Sequence, residues 1–202
     1  MFITFEGVDG CGKTTQLKLV KEYLESKGRK VITLREPGGT EFSEKIREIL
    51  LFSKDNINSI AELMLFESAR SNLVEYVIKP ALADGVIVLS DRFYDSTTAY
   101  QGYGRGLDLE QVNACNMIAT GGLKPDLTFY LEVPLEVAKS RSHDRVQDRI
   151  ESAGDEFFNK VTSGFRAIAA SEPERFVVID SSGDLCVTNA KIMEIISSKM
   201  GE

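Results

Sequence analysis

A glycine-rich segment near the start of the chain contains the residue types that bind phosphate groups. The segment reads Gly7-Val8-Asp9-Gly10-Cys11-Gly12-Lys13-Thr14-Thr15. It matches the phosphate-loop pattern G-x-x-x-x-G-K-[ST], in which glycines let the backbone aim successive N–H groups at phosphate oxygens. Lys13 can reach a phosphoryl group in transfer, and the Thr14 hydroxyl can bind magnesium. We therefore predict a nucleoside triphosphate site at residues 7–15, with a chance glycine-rich turn as the alternative.

The carboxylate of Asp91 is a second candidate for the magnesium site. Asp91 ends the run Ile87-Val88-Leu89-Ser90, which is typical of a buried strand. In a parallel sheet, the end of such a strand emerges at the edge that also carries the phosphate loop. Asp91 is therefore expected near the loop, although an ordinary acidic residue in a turn would leave the same pattern.

A polar stretch later in the chain contains Arg141, Arg145 and Arg149, spaced four residues apart. On one helix these arginines would share a face. Arginines on a closing lid can stabilise the charge on a transferring phosphoryl group while the lid excludes water. A solvated helix whose arginines pair with Asp144 and Asp148 explains the pattern equally well. We call residues 139–151 the lid segment.

Arg47, Arg70 and Arg92 belong to three separate elements and could converge on the phosphate of an acceptor. Phe66 and Arg70 are four residues apart, so they would share one face of a helix. An aromatic plane beside a guanidinium suits a flat nucleobase that carries carbonyl groups. The alternative for Phe66 is a place in the hydrophobic core.

Short β-branched runs alternate with longer helical patterns along the chain. The predicted strands are residues 2–6, 30–34, 86–90, 127–133 and 176–180. One predicted helix runs from the phosphate loop to Gly28, and another covers residues 60–83 with a kink or a restart at Pro80. The other predicted helices cover residues 108–119, 135–141, 156–170 and 185–199. This alternation predicts an α/β fold with about five parallel strands and helices on both faces of the sheet. No linker or repeat interrupts it, so residues 1–202 are expected to form a single domain.

The composition limits the classes of partner. With 24 basic and 31 acidic residues, the 202-residue chain has a formal charge of −7, which argues against nucleic-acid and anionic-membrane binding. No apolar run reaches the roughly 20 residues of a membrane span. Cys11, Cys115 and Cys186 are odd in number and lack C-x-x-C spacing, which argues against disulfides and zinc. A cytoplasmic protein is expected.

Two classes of phosphate-loop protein fit this size: a small phosphotransferase and a GTP-binding switch. A switch should carry Asn-Lys-x-Asp to bind guanine, and the sequence contains no such tetrapeptide. The only D-x-x-G outside the phosphate loop, Asp180-Ser181-Ser182-Gly183, follows the last predicted strand and comes too late for a switch segment. The phosphotransferase, which needs an acceptor pocket and a lid, is therefore favoured.

Several longer motifs make the chain resemble the thymidylate kinase family, in its bacterial form. They are Arg35-Glu36-Pro37-Gly38-Gly39-Thr40, Leu65-Phe66 through Arg70, Asp91-Arg92-Phe93-Tyr94-Asp95-Ser96-Thr97-Thr98-Ala99-Tyr100-Gln101-Gly102, Pro125-Asp126-Leu127-Thr128 and Asp148-Arg149-Ile150-Glu151. The resemblance covers nearly the whole chain. It implies a phosphate-loop nucleoside monophosphate kinase fold with a lid, and transfer of the ATP γ-phosphoryl to dTMP with magnesium. The products would be dTDP and ADP, in dTTP biosynthesis.

The resemblance also implies roles in binding the acceptor base and sugar. Carried over by position, Phe66 would stack on thymine and Arg70 would bond its 4-carbonyl. Thr97 and Gln101 would meet the rest of the base edge. Tyr100 would crowd the 2′ position of the sugar and so disfavour ribonucleotides.

At the reacting end, the same resemblance gives Asp9 two roles, positioning the 3′-hydroxyl and helping to hold magnesium. Thr14 and Asp91 are the other expected magnesium ligands. Arg47 and Arg92 would grip the acceptor phosphate. The family also forms homodimers, and the apolar positions over residues 60–77 suit either the core or such a contact.

Members of the family differ in where the arginine of the transition state stands. Some carry it inside the phosphate loop, but here Gly10 follows Asp9. The resemblance then implies that the lid segment supplies it, through Arg149 or Arg145. The expected catalytic residues are Asp9, Lys13, Arg92, Arg145 and Arg149. Glu67 stands where a small residue is usual, and we expect it at the solvent or at a subunit interface.

Overall fold

The computed structural model describes residues 1–142 and 148–201, and within them it contains one sheet of parallel strands. The strands are β1 (Phe2–Glu6), β2 (Val31–Arg35), β3 (Ile87–Asp91), β4 (Leu127–Glu132) and β5 (Phe176–Asp180). They lie in the order β2-β3-β1-β4-β5, and each neighbouring pair is parallel. The predicted five-stranded parallel sheet is therefore confirmed, with every predicted strand displaced by at most one residue at either end.

Helices connect these strands. They are α1 (Lys13–Ser26), α2 (Glu41–Phe52), α3 (Ser59–Leu73), α4 (Lys79–Ala83), α5 (Tyr94–Thr97), α6 (Leu109–Thr120), α7 (Leu135–Ser142), α8 (Asp155–Ser171) and α9 (Leu185–Met200). Two π-helical turns cover Val74–Ile78 and Thr98–Gly104, and a 3₁₀ turn covers Glu151–Ala153. Among the helices of the described residues, none is both long and apolar enough to cross a membrane.

The local signals that define the helix ends act as the sequence predicts. Asp108 accepts a hydrogen bond from the backbone N–H of Gln111 and caps α6, which ends at Gly121 in a left-handed conformation. The restart at Pro80 is also confirmed, because α3 passes through a π-helical turn before α4 begins with Pro80 in its first turn. Helix α2 was not predicted, although the hydroxyl of Thr40 caps it by accepting from the Ser43 N–H.

Both faces of the sheet pack against helices, as predicted. On one face, Ile3 and Phe5 of β1 belong to a core cluster with Val20 of α1 and Ile192 of α9. On the other face, Phe2 packs with buried residues of α3 and of the π-helical turn after it. Aromatic residues of α8 pack against β4 and β5 on this second face. Because consecutive residues of a strand point to opposite faces, one five-residue strand serves both layers.

The chain runs from β1 to one side of the sheet for β2 and β3, and to the other side for β4 and β5. In open parallel sheets, ligands bind outside the carboxyl ends of the strands, at the point where the strand order reverses. In this chain that point is the carboxyl end of β1, where the phosphate loop begins. Arg145 and the rest of residues 143–147 of the lid segment lie outside the described residues.

Candidate functional site

The phosphate loop folds tightly around the side chain of Lys13. Lys13 is 5% exposed, and its Nζ donates to the carbonyls of Gly7 and Val8, both at 3.0 Å. The part of the loop that precedes helix α1 ends at Gly12, whose φ of 100° is accessible to glycine at little cost. The loop residues from Asp9 to Thr15, Lys13 among them, line a cavity of about 450 Å³, the phosphate-loop cavity. A positive charge and the N-terminus of α1 thus border one space, as an anionic ligand requires.

Gly10, which follows Asp9, lies where the phosphate loop has no space for an arginine side chain. Its φ is 80°, and a Cβ atom built on it would lie 2.2 Å from the carbonyl oxygen of Ala138 in α7. That distance is far below van der Waals contact, so any side chain at position 10 would require the loop or α7 to move. The phosphate loop therefore packs directly on the helix that leads into the lid segment.

Thr14, Asp91 and Asp9 lie together at the carboxyl ends of β1 and β3. The Thr14 hydroxyl donates to Oδ2 of Asp91 at 2.9 Å, which confirms the predicted place of Asp91. Oδ1 of Asp9 accepts from Arg92 Nη2 at 3.1 Å and lies 3.9 Å from Lys13 Nζ. These oxygen atoms are the kind that Mg²⁺ prefers, and magnesium commonly takes only one or two carboxylates beside phosphates and water. The residues therefore fit magnesium, although the described part of the chain holds no cluster of three or more metal-binding side chains.

A second cavity of about 660 Å³, the acceptor cavity, adjoins the first, and Asp9, Thr14 and Asp91 line both. Every residue predicted for the acceptor site lines it. They are Asp9, Arg47, Phe66, Arg70, Arg92, Thr97, Tyr100 and Gln101. These residues come from the phosphate loop, α2, α3 and the segment after β3, which are distant in sequence. The structure thus brings the whole predicted set together.

Two of the arginines that line the acceptor cavity, Arg92 and Arg47, are held by backbone carbonyls. Arg92 has a φ of 73°, which is unusual for a residue other than glycine, and its Nη1 donates to the Gly7 carbonyl at 2.8 Å. Arg47 donates from Nη1 to the Pro37 carbonyl at 2.9 Å. Burial lowers the pKa of Arg47, and the like charges of Arg35 and Arg92 lower it further. Because Arg35, Arg47 and Arg92 all line the acceptor cavity, their like charges favour the binding of an anion there.

A buried ion-pair cluster around Arg70 also borders the acceptor cavity. Arg70 is 2% exposed, and its Nε donates to Glu36 Oε2 at 2.8 Å, its Nη1 to Glu67 Oε1 and its Nη2 to Thr97 Oγ1 at 2.9 Å. The expectation that Glu67 faces solvent or a subunit interface is wrong, because Glu67 is 6% exposed. It lies three residues before Arg70 on α3 and turns inward to pair with it. Phe66 is partly buried and lines the same cavity.

The Glu36 carboxyl predicts a pH dependence of stability. Burial raises its pKa to about 7, with the nearby Glu67 charge adding to the effect and Arg70 opposing it. Because the pKa is higher in the folded state than in the unfolded state, the protonated Glu36 carboxyl contributes to the free energy of unfolding. This contribution is complete below about pH 4.5 and is lost as the pH rises through 7. Glu36→Gln removes the titration. Between pH 5.5 and 7.5 we expect the free energy of unfolding of the unmodified chain to fall by about 2 kcal/mol more than that of the variant.

Urea unfolding at pH 5.5, 6.5 and 7.5 measures this difference. The exposed Glu41, which forms a surface pair with Lys45, provides the control Glu41→Gln. That control should follow the unmodified chain at each pH. Parallel curves for the unmodified chain and Glu36→Gln would show that Glu36 does not titrate in this range.

The two described arginines of the lid-segment pattern do not share a helix face. Arg141 lies in α7, lines the phosphate-loop cavity and donates to the Ser181 and Ser182 carbonyls at 2.9 Å each. Arg149 follows the undescribed residues, donates from Nε to the Leu50 carbonyl at 2.9 Å and places Nη2 2.7 Å from Glu62 Oε2. The structure therefore brings Arg141, and not Arg149, to the phosphate loop.

Some residues of the site were not identified from the sequence. Ser181 donates from Oγ to the Cys11 carbonyl at 2.9 Å and lines the phosphate-loop cavity. Ser96 accepts from Arg92 Nη1 at 3.1 Å and lines the acceptor cavity. Ser181 directly follows β5, so its place at the carboxyl edge of a parallel sheet could have indicated it. Ser96 gave no comparable signal apart from its position within the longest motif.

Comparison with known proteins gives a consistent assignment. A family model described as thymidylate kinase matches residues 5–192. A thymidylate kinase from Prosthecochloris aestuarii is 51% identical over 100% of this chain and 95% of its own length, and one from Sulfurihydrogenibium sp. is 49% identical over 98% and 97%. A crystal structure of thymidylate kinase from Ehrlichia chaffeensis matches with a TM-score of 0.79 and 36% identity, covering 97% of this chain and 98% of that one. The structural match also confirms the predicted nucleoside monophosphate kinase fold. Because these similarities span almost the whole sequence, the chain belongs to the thymidylate kinase family.

Proposed function

We propose that the protein transfers the γ-phosphoryl of ATP to dTMP, giving dTDP and ADP, as a step of dTTP biosynthesis. One observation carries this proposal: the phosphate-loop cavity and the acceptor cavity adjoin at Asp9, Thr14 and Asp91. A nucleotide-binding switch needs only the first cavity. A phosphotransferase needs both, with the reacting groups where they meet.

On the donor side, the phosphate loop from Gly7 to Thr15 would bind the ATP phosphates through its backbone N–H groups. Lys13, which lines the phosphate-loop cavity, would hold negative charge on the transferring phosphoryl group. Thr14, Asp91 and Asp9 would hold magnesium. When bound, magnesium neutralises charge on the phosphate oxygens.

On the acceptor side, Arg92 and Arg47 would bind the dTMP phosphate, and Asp9 would position the 3′-hydroxyl of the sugar. The ring of Tyr100 lies under Arg92, with Cζ of Arg92 5.1 Å from the ring centroid. The place of this ring in the wall of the acceptor cavity supports a role for Tyr100 in crowding the 2′ position of the sugar and so selecting deoxyribonucleotides.

At the base, Phe66 would stack on thymine, and Arg70 would donate to its 4-carbonyl. Arg70 carries five N–H groups, and its three nitrogens each donate to one protein acceptor. No acceptor among the described residues takes the other two N–H groups, which supports a role for them in binding a ligand. Thr97 and Gln101 would contact the rest of the base edge.

The lid segment would supply the arginine that stabilises transferred charge, because Gly10 leaves no room for a side chain inside the loop. Arg145 and Arg149 are the candidates proposed for this role. Arg149 is held by Leu50 and Glu62 in the described geometry, and Arg145 lies outside the described residues.

We further propose that the chain acts as a single domain over residues 1–202 and forms a homodimer. Exposed apolar side chains on α3 and α6, two helices that pack together, support a dimer contact: Ile60, Met64, Met117 and Ile118. The charge of −7 supports a protein without nucleic-acid or membrane partners. The unpaired cysteines support a reducing compartment, the cytoplasm.

A screen of nucleoside monophosphates tests the proposed function. Each of dTMP, dUMP, dCMP, dAMP, dGMP and UMP is incubated with ATP and magnesium, and ADP release is measured. We expect ADP release with dTMP and close analogues alone. Tight ATP binding without ADP release in any mixture would favour the switch class instead.

Phe66→Leu tests whether Phe66 contacts the base. Loss of one base-stacking contact, worth about 1–3 kcal/mol, should raise the KM for dTMP about tenfold or more. The kcat should change less, because Phe66 lines the acceptor cavity but not the phosphate-loop cavity. Phe66→Tyr keeps the aromatic plane and should retain a KM close to that of the unmodified chain. An unchanged KM in Phe66→Leu would assign Phe66 to the hydrophobic core.

A further inference from the structure

Glu62 of α3 is a buried carboxylate that no role proposed above uses. Its side chain is 1% exposed. Oε1 accepts from Gln101 Nε2 at 2.9 Å and from Arg105 Nε at 3.1 Å. Oε2 accepts from Arg105 Nη2 at 3.2 Å and lies 2.7 Å from Arg149 Nη2. A single carboxylate thus joins a residue of the acceptor cavity to two arginines.

Glu62 is ionised in this environment. Burial acts to raise its pKa, but the net effect of the surroundings is to lower it. The pKa is lowered by hydrogen bonds from Arg105 and Gln101, by the positive charge of Arg105 and by the contact with Arg149. An ionised carboxylate has no proton to donate. Each of its partners must therefore present a donor.

This requirement fixes the orientation of the Gln101 amide. The Gln101 NH₂ group must face Glu62, so the amide oxygen must point away from it. Gln101 lines the acceptor cavity, and no residue in the described part of the chain donates to its Oε1. The group that Gln101 offers to a ligand is therefore an acceptor. If the amide were reversed, it would offer a donor instead.

The donors and acceptors of Arg70 and Gln101, which both line the acceptor cavity, then form a pattern. Arg70 has two N–H groups that no acceptor among the described residues takes, whereas Gln101 offers a carbonyl oxygen. An imide base such as thymine presents carbonyl acceptors on either side of a ring N–H donor. Cytosine presents an amine donor beside a ring nitrogen acceptor. Its donor would therefore face the N–H groups of Arg70, and its acceptor would face the carbonyl oxygen of Gln101.

We propose that Glu62 is a positioning residue, which fixes the Gln101 amide with its oxygen toward the acceptor base and so selects a base with a ring N–H. The inference rests on the proposed function, because it requires a pyrimidine in the acceptor cavity. Glu62 itself does not touch the substrate. Its effect is on the choice between imide and amidine bases.

Glu62→Gln tests the proposal, because an amide at position 62 both donates and accepts and no longer fixes Gln101. The readouts are the KM for dTMP and the inhibition constant of dCMP against dTMP. We expect the preference for dTMP over dCMP to fall about tenfold, the value of one hydrogen bond of correct polarity. If Glu62 had a purely structural role, the substitution would weaken the binding of both nucleotides alike and leave the preference unchanged. That result would overturn the proposal.

Two matched variants isolate the path through Gln101. Arg105→Gln removes another partner of the same carboxylate, and it should keep the preference for dTMP. In a Gln101→Leu background, Glu62→Gln should change the preference no further, because the residue it orients is gone. A full effect of Glu62→Gln in that background would show that Glu62 acts by another route. If circular dichroism shows that Glu62→Gln does not fold, Gln101→Leu alone tests the proposal. An unchanged preference for dTMP over dCMP in Gln101→Leu would contradict it.

The unmodified chain separates this test from that of the proposed function. If it releases no ADP with dTMP, the proposed function fails. If it phosphorylates dTMP and the variants keep its preference, only the assignment of Glu62 fails.

Discussion

Lys13→Ala is expected to lower kcat by about a thousandfold or more while the protein stays folded. Lys13 and Arg141 are the positively charged side chains that line the phosphate-loop cavity, and Lys13 belongs to the phosphate loop itself. Removal of a single preorganised donor to developing charge typically costs about 10²–10³ in kcat, and Lys13 adds a full charge to the donor. The loss should appear in kcat at saturating ATP and dTMP, because the charge on the transferring phosphoryl group is greatest in the transition state.

The fold should survive this substitution, because both carbonyls that accept from Lys13 have a second donor. The Gly7 carbonyl also accepts from Arg92 Nη1 at 2.8 Å, and the Val8 carbonyl accepts from the Cys11 N–H at 3.3 Å. Circular dichroism and the thermal midpoint should therefore stay close to those of the unmodified chain. A lost rate combined with a lost fold would point to the loop structure instead of the chemistry.

Lys18→Ala is the matched control for Lys13→Ala. Lys18 lies on the same helix, but its side chain is 76% exposed and its partner Glu22 is also at the surface. We expect a kcat within about twofold of the unmodified chain, since such surface pairs contribute little. If Lys13→Ala also turned over at a near-normal rate, residues 7–15 would not be the ATP site.

The sequence predicts most of the fold because its strong signals are local. Each strand is a short β-branched run between helical patterns, and each was located to within one residue. The alternation of the two element types implies parallel strands. Helix α2 was missed, although Ile46 and Leu50 are four apart and both buried. Its apolar pattern is short and follows two glycines and a proline, residue types that favour turns over helices.

Asp91 and Glu67 show why some of the site was predictable and some was not. Asp91 follows a recognisable strand, and the geometry of a parallel sheet then determines the edge at which it emerges. Glu67 lies on α3, where the apolar residues include the buried Leu63 and the exposed Met64, so the apolar pattern does not indicate which face of the helix is buried. Its inward orientation depends on pairing with Arg70, which also bonds Glu36 and Thr97 from other parts of the chain. Contacts between such distant residues have no local signature.

The contact between Glu62 and Arg149 could not be predicted from the sequence for the same reason. The sequence places the two residues 87 positions apart, on elements with no predicted relation. The spacing of Arg141 and Arg149 suggested one helix face, yet the first contacts the loop after β5 and the second contacts α2 and α3. Periodicity describes neighbours within one helix, and it fails where the chain leaves that helix.

Arg92→Ala is expected to lower kcat/KM for dTMP by about 10²–10⁴ while the KM for ATP changes little. Arg92 contacts the phosphate loop through Gly7 and Asp9, and it also lines the acceptor cavity. Each charge-assisted hydrogen bond to an acceptor phosphate is worth about 1.5–3 kcal/mol, and a guanidinium can form two of them. ATP binding should persist, because the loop keeps Lys13 and its own backbone N–H groups.

Two substitutions at position 92 separate the side chain from the backbone. Arg92→Lys keeps the charge but loses the planar pair of donors, so we expect an intermediate kcat/KM. Arg92→Gly removes the side chain and also relieves the backbone strain of a non-glycine residue at φ 73°. Arg92→Gly should therefore be at least as stable as Arg92→Ala in thermal unfolding, and it should be equally poor in activity.

Arg166→Ala provides the control for loss of a guanidinium, because Arg166 is 65% exposed and pairs with Glu132 at the surface. Its steady-state constants should match those of the unmodified chain. The acceptor-phosphate role of Arg92 predicts a specific pattern, in which the KM for dTMP rises and kcat falls at constant ATP affinity. An equal rise in the KM for ATP would contradict it, because Arg92 would then act chiefly by holding the phosphate loop through Gly7 and Asp9.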